Sequence, residues 1–312
     1  MRAVIALGGN ALSARAEDQE KELRNVAAVL APILVDGHEI VLVHGNGPQV
    51  GIVHSAFERA VPTGGGEVMP FYDCTAMNVG GIGYHLEQAV ASVLDQMGRG
   101  DMPLATVVTR IEVDPHNKAL MTPDKPVGRF YTEKEARELM RRTGRTYGPD
   151  SGRGWRLMVP SPPVGHIIDA DAIRCLVEAG VIVIGGGAAG IPVCRDESGV
   201  YRAVEAVCDK DLTSAQLAKL IDADLLLILT AVDYVAINYG TTEQRNLKSM
   251  TPSEAERYIR DGQFSPGSML PKVEACVQFV RSRPGGRAVI GNLREAEHVL
   301  KGKTGTVIAE SA

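Results

Sequence analysis

Two lysines stand where the chain turns into a helix, and their surroundings are the first chemical clue. Lys210 lies in Asp209-Lys210-Asp211-Leu212, ahead of a helical stretch whose apolar face reads Leu212, Ala215 and Leu220. Lys272 lies in Gly267-Ser268-Met269-Leu270-Pro271-Lys272, where a second helix opens after a Gly-Ser turn with Pro271 near its first turn. A lysine at a helix start opposes the helix dipole, so it adds little to the helix and is well placed to meet a phosphate gathered there. Asp211 either orients Lys210 or caps the helix. Lys125, in Pro123-Asp124-Lys125-Pro126-Val127-Gly128, sits in chain stiffened by two prolines. Taken alone, each lysine fits a solvated surface position as well.

The glycine turns change that balance. One apolar run leads into Gly8-Gly9-Asn10, a second into His44-Gly45-Asn46-Gly47-Pro48-Gln49, and a third into Gly185-Gly186-Gly187-Ala188-Ala189-Gly190. In an open parallel sheet, neighbouring strands end at one crevice, and glycine there lets backbone N–H groups approach an anion. One such loop is a tight turn. Three on one edge, with lysines nearby, point to a phosphate or carboxylate site.

Two motif matches fail on context. Gly185-x-Gly187-x-x-Gly190, with Glu205 about 20 residues on, fits the dinucleotide fingerprint in form. That fingerprint needs a helix to open at its later glycines, whereas Ile191-Pro192-Val193 and Arg195-Asp196-Glu197-Ser198-Gly199 read as a short strand and a turn. Gly302-Lys303-Thr304 resembles the tail of a P-loop, yet Glu297, followed by His298, stands where the loop's first glycine belongs.

The elements that must position these residues alternate between short β-branched runs and stretches of helical period, the pattern of a parallel sheet covered by helices. Strands are expected at Val4 to Leu7, Ile40 to Val43, Leu104 to Val108, Val181 to Ile184, Leu225 to Leu229, Ala288 to Ile290 and Thr304 to Ile308. Helical stripes are Val26, Leu30, Ile33 and Leu34; Leu86, Ala89, Val90, Val93 and Leu94; and Val273, Val277 and Val280. Thr132 with Glu135 reads as a capping box. Thr251, Pro252 and Glu254 supply cap, first-turn proline and return acceptor. Residues 114–163 break the alternation. Rich in Pro, Gly, Arg and Lys, with one capped helix and no convincing buried strand, they read as an insertion or flap with room for a small hairpin or two.

Composition narrows the function classes. A chain of 312 residues, 45% hydrophobic, can bury a sizeable core. Its net charge of −5 offers no overall basic field for nucleic acid or lipid. Five cysteines without a C-x-x-C pair argue against a disulfide framework or a zinc site and fit a reducing compartment. The short apolar start is too brief for a signal-peptide core, and no run reaches the ~20 apolar residues of a membrane helix, so a cytoplasmic protein is expected.

Read in order, the segments Ala6-Leu7-Gly8-Gly9-Asn10-Ala11-Leu12, His44-Gly45-Asn46-Gly47-Pro48-Gln49-Val50-Gly51, Lys125-Pro126-Val127-Gly128, Asp150-Ser151-Gly152-Arg153-Gly154, Val159-Pro160-Ser161-Pro162, Val204 to Leu212, Ile237-Asn238-Tyr239-Gly240 and Gly267 to Val273 resemble the carbamate kinase branch of the amino acid kinase family. The likeness runs over nearly the whole chain. It implies a three-layer α/β/α sandwich with a mainly parallel central sheet of about eight strands and a small protruding subdomain within 114–163. It implies one domain over 1–312, with an acceptor half, 1–203, and a nucleotide half, 204–312, and it implies a homodimer.

The resemblance also implies the chemistry: reversible transfer of the γ-phosphoryl group of ATP to carbamate, giving ADP and carbamoyl phosphate. Mg²⁺ would be bound mainly through the nucleotide. Lys210, Lys272, Asp211 and Lys125 take the catalytic roles. Gly8, Gly9 and Asn10 hold the transferring phosphoryl group, Gly45, Asn46 and Gly47 line the acceptor pocket, and Lys210, Thr230, Asp233, Tyr239, Met269 and Lys272 meet the nucleotide. Carbamate is already an anionic nucleophile, so no general base is needed and no His or Cys nucleophile is expected. Members usually carry Asp at the position of Ala231, Gln at Val79 and Gly at Leu270. These departures keep open another small acceptor, or a nucleotide sensor with little catalysis.

Overall fold

The structure, a computed structural model, describes residues 1–8, 16–60, 69–150 and 152–310. The chain opens with β1 (Arg2–Leu7), α1 (Ala16–Val35), β2 (Glu39–His44), α2 (Gly47–Ala60), α3 (Phe71–Gln96), β3 (Leu104–Thr106) and β4 (Arg110–Glu112). There follow β5 (Lys125–Tyr131), α4 (Glu133–Thr143), β6 (Tyr147–Asp150), β7 (Gly154–Val159), α5 (Ala170–Glu178), β8 (Ile182–Ile184), β9 (Ile191–Arg195) and β10 (Tyr201–Ala203). The remainder is α6 (Lys210–Leu220), β11 (Leu225–Thr230), β12 (Val235–Ile237), β13 (Arg245–Leu247), β14 (Ser249–Met250), α7 (Pro252–Arg260), α8 (Met269–Ser282), β15 (Arg287–Asn292), α9 (Ala296–Leu300) and β16 (Thr306–Ile308).

Among the described residues, eight strands form the central sheet in the order β14-β16-β15-β11-β1-β2-β8-β3. Every neighbouring pair is parallel except β15 with β16. All seven strands expected from the sequence lie in it. The eighth, β14, is two residues long, too short to show a period. Both faces are covered. Ala3, Ile5, Leu7, Leu225, Leu227 and Leu229 pack with α1, α3 and α9, while Val4, Ala6, Leu226 and Ile228 pack with α5, α6 and α8. Burial on both faces is why these strands read as continuous apolar runs rather than alternating ones. The fold is the expected three-layer α/β/α sandwich.

Three details correct the sequence reading. The flap does hold buried strands: β5, β7 and β6 form an antiparallel sheet capped by α4, with Val127, Tyr131, Tyr147, Leu157 and Val159 buried between them and α2. Their apolar residues are diluted by arginine and glycine, which hid the alternation. Of the expected apolar face of α6, Ala215 is buried while Leu212 and Leu220 are only half-buried; the helix also buries Thr213, Ser214, Leu217 and Ala218. The helix cap is Asp209, whose carboxylate accepts from the backbone N–H groups of Asp211 and Leu212, so Asp211 is left for other work.

Other local signals are as expected. Both capping boxes are formed, at Thr132–Glu135 and Thr251–Glu254. After Gly190 the chain runs into β9 and an antiparallel hairpin with β10, with no helix, so the dinucleotide fingerprint has no structural basis here. Residues 302–304 form a turn leading into β16, without a phosphate-cradling loop.

Candidate active site

β1, β2 and β8 are consecutive parallel neighbours, so the loops after Leu7, His44 and Ile184 leave the sheet at one edge. Contacts tie these loops together. Gly8 donates its N–H to the Leu229 carbonyl at 2.8 Å, and a Cβ on Gly8 would lie 2.7 Å from that oxygen. A Cβ on Gly187 would fall 2.5 Å from His44 Nε2. A Cβ on Gly45 would touch the Lys210 side chain at 3.7 Å, which sets the second loop beside the first residue of α6. Gly9 and Asn10 lie outside the described residues.

Lys210 and Lys272 meet on a single carboxylate. Lys210 Nζ donates to Asp211 Oδ1 at 2.6 Å, and Lys272 Nζ donates to Asp211 Oδ2 at 2.7 Å. The two ammonium groups thus share one carboxylate, with Asp211 nearly inaccessible to solvent. Burial alone would raise the Asp211 pKa; the charges of Lys210 and Lys272 and their hydrogen bonds outweigh it and hold the carboxyl at about 2. Lys125, at the start of β5, pairs with Asp209 Oδ2 at 3.2 Å, bringing the flap to the start of the same helix. Lys210 and Lys272 lie in the first turns of α6 and α8, the Gly45 turn that leads into the N-terminus of α2 comes up against Lys210, and each of these three N-termini carries a partial positive charge.

Beside this cluster lie two buried polar groups with unmet hydrogen-bonding capacity. His44 is fully buried, donates from Nδ1 to the Gly45 carbonyl at 2.8 Å, and leaves Nε2 without a partner among the described residues. Burial lowers its pKa to about 4, only partly offset by the Gly45 hydrogen bond, and the Lys210 charge lowers it further, so the ring is neutral near pH 7. Asn46 is buried with its Nδ2 donor unpartnered among the described residues, ready for an acceptor oxygen.

A cleft of about 560 Å³ opens where α8 begins, lined by Val232, Tyr234, Tyr239, Gln263, Phe264 and Met269 among others. Met269 lies one turn before Lys272 on α8, so the cleft runs toward the lysine pair. Of the expected nucleotide residues, Tyr239 and Met269 line it. Thr230 lies instead at the end of β11, its Cα 3.3 Å from where a Gly8 Cβ would stand. Asp233 accepts from Asn292 Nδ2 at 2.7 Å and is not among the lining residues. The sequence reading missed Tyr234, Gln263 and Phe264. Gln263 accepts from the backbone N–H of Asn238, a residue at a left-handed φ of 53°. The Tyr239-Gly240 turn was the one signal that could have led there.

A profile of the amino acid kinase family matches residues 1–292. The chain belongs to the amino acid kinase family. The carbamate kinase-like protein YqeA of Escherichia coli K12 is 45% identical over 309 residues, covering 98% of each protein. The carbamate kinase of Staphylococcus haemolyticus is 44% identical over 305 residues, again covering 98% of each. The structure of Giardia lamblia carbamate kinase bound to AMP-PNP superposes with a TM-score of 0.91 at 39% identity, over 99% of this chain and 98% of that one.

Within this amino acid kinase, the described residues hold no group of three or more His, Cys, Asp or Glu able to cage a metal ion. They include no helix long and apolar enough to cross a membrane. Asp209 and Asp211 are both engaged by ammonium groups.

Proposed function

We propose that the protein reversibly transfers the γ-phosphoryl group of ATP to carbamate. The observation that carries this reading is the Lys210–Asp211–Lys272 unit set among three glycine turns and three helix N-termini. Relatives at 42–45% identity over nearly their whole length are named carbamate kinases or carbamate kinase-like, and a structural relative holds an ATP analogue.

In the forward direction a carbamate oxygen attacks the γ-phosphorus, the bond to the β–γ bridging oxygen breaks, and ADP leaves with the electron pair. The nucleophile is already anionic, so no proton need be removed. Catalysis then consists of holding two repelling anions in line and neutralising the charge shared among the phosphoryl oxygens. Lys210 and Lys272 supply that neutralisation. Asp211 keeps them apart and aimed without itself meeting the substrate. Lys125 closes from the flap, Gly8 with Gly9 and Asn10 cradles the phosphoryl group, and Gly45, Asn46 and Gly47 receive carbamate, Asn46 donating through its free amide.

The nucleotide occupies the 560 Å³ cleft, its base against Tyr239 and Met269 and its phosphates toward Lys272. Mg²⁺ would be bound mainly through those phosphates, where it would help neutralise their charge; the nearby carboxylates of Asp209 and Asp211 already hold lysines. On this reading residues 1–203 form the acceptor half and 204–312 the nucleotide half of one domain. The family likeness also supports a homodimer acting in the cytoplasm, and sedimentation at twice the chain mass tests the former.

Val79 is fully buried in α3 and Leu270 packs against the core beneath α8, so both departures are accommodated as apolar packing. Ala231 is exposed after β11. An acceptor panel tests the assignment. With ATP and Mg²⁺, carbamate is expected to be phosphorylated and N-acetylglutamate, aspartate and UMP are not; turnover on one of those three with none on carbamate rejects it.

A further inference from the structure

On α2, Gly51, His54 and Glu58 share one face, and all three meet the β5-β7-β6 subdomain. Glu58 is buried, and both its oxygens are taken: Tyr131 Oη donates to Oε2 at 3.0 Å and Tyr147 Oη donates to Oε1 at 2.7 Å. The tyrosines come from β5 and β6, their rings edge-to-face at 5.6 Å between centroids. His54 Nδ1 lies 3.6 Å from Glu58 Oε2, and its other ring nitrogen contacts Arg145, which lies 3.6 Å from Glu205 on the body. Burial beside the carboxylate raises the Tyr131 pKa to about 12 and pushes Tyr147 higher, so both remain donors.

The spacing gives this cluster a consequence at the lysines. A Cβ on Gly51 would lie 2.1 Å from Gly128 Cα, so helix and strand touch there as bare backbone. From Gly51 to Glu58 the helix rises about 10 Å, and the irregular stretch of β5 from Gly128 to Tyr131 covers that span between its two contacts with the helix. The strand is therefore pinned alongside the helix at two matched points. Three residues back from Gly128, again about 10 Å, is Lys125, and a similar distance back from Gly51 along α2 is the Gly45-Asn46 loop.

We propose that Glu58 is a positioning residue: by holding Tyr131 and Tyr147 it seats the subdomain on α2 and sets where Lys125 meets the acceptor. It touches no substrate and acts through β5. The inference rests on the carbamate kinase reading for Lys125's role, while the seating itself does not.

Trp155, the chain's single tryptophan, lies in β7 and packs partly buried against this cluster, so its fluorescence reports seating without turnover. Two variants separate seating from folding. Glu58→Gln is isosteric but cannot accept from both phenols. Glu58→Leu with Tyr131→Phe and Tyr147→Phe removes the carboxylate and both phenols together, an exchange a buried cluster tolerates better than losing one member. In both, acrylamide quenching of Trp155 is expected to rise about twofold, and the KM for carbamoyl phosphate to rise about tenfold with the KM for ADP within about twofold. Unchanged Trp155 quenching in both folded variants overturns the inference. So does a loss that raises both KM values alike or disappears once unfolding is corrected for. A wild type that makes no ATP from carbamoyl phosphate and ADP overturns the functional reading instead, and Trp155 then decides the seating alone.

Discussion

Asp211 holds two ammonium groups yet would not touch the substrate, so its loss should be read in geometry rather than in charge alone. Asp211→Asn keeps the shape but removes the charge that both lysines face. A fall of about 100-fold in kcat is expected, with ADP affinity changed less, as steady-state rates and ADP titration would show. The carboxyl binds a proton less readily folded than unfolded, since its pKa is about 2 in the fold. Its stabilisation is therefore present above its ordinary value near 4 and is lost as pH falls toward 2. His44 titrates higher. Its folded pKa, about 4, lies below the ordinary 6.5, so the unfolded chain takes up protons first as pH falls and stability declines across that window. From about pH 7 to about pH 5 this group should cost about 2 kcal/mol, measured by urea unfolding, and His44→Asn should flatten the slope. His54, also lowered to about 4, adds a second contribution that survives in that variant.

Much of this was legible in residue types. Two lysines beside helix starts and glycine at three strand ends led to one site. The division of labour between Asp209 and Asp211 was not legible, because both flank Lys210 and only the fold shows which carboxylate caps the helix and which turns inward. Glu58 was invisible for a related reason: a glutamate on a helix reads as solvated until two tyrosines from a distant sheet are brought onto it.

At the scale of elements, the third glycine loop carries a visible cost. Ala188 and Ala189 stand at φ values of 55° and 68°, in the left-handed region that disfavours a Cβ. Both are buried where β8 gives way to β9, and Thr213 of α6 donates to the Ala189 carbonyl at 3.0 Å. Ala188→Gly relieves the backbone at the expense of a looser unfolded chain, for a net gain of up to about 1 kcal/mol, read as a higher Tm. The central strands were readable because they are buried on both faces and their apolar runs are unbroken. The subdomain strands were not, since arginine and glycine interrupt them and their partner is a helix remote in sequence. Their capped helix was readable, and Thr132→Ala should destabilise α4 by about 1 kcal/mol.

For the whole molecule, charge is unevenly placed. Residues 125–159 carry nine Lys or Arg against four Asp or Glu, on a chain whose net charge is −5. Every substrate in the proposed reaction is an anion. A basic subdomain beside the site raises their local concentration, an effect screened over about 8–10 Å in salt. The second-order rate constant kcat/KM should therefore fall with ionic strength, and Arg141→Gln with Arg142→Gln should weaken that dependence while leaving kcat near the wild-type value.

The central claim is that Lys210 and Lys272 serve one phosphoryl group. It is tested most directly by the initial rate of ATP formation from carbamoyl phosphate and ADP with Mg²⁺, compared for the wild type, Lys210→Ala and Lys272→Ala, each shown to be folded. An active wild type with both variants slowed by about 100-fold or more is the predicted result. An active wild type in which either variant keeps its full rate would contradict it.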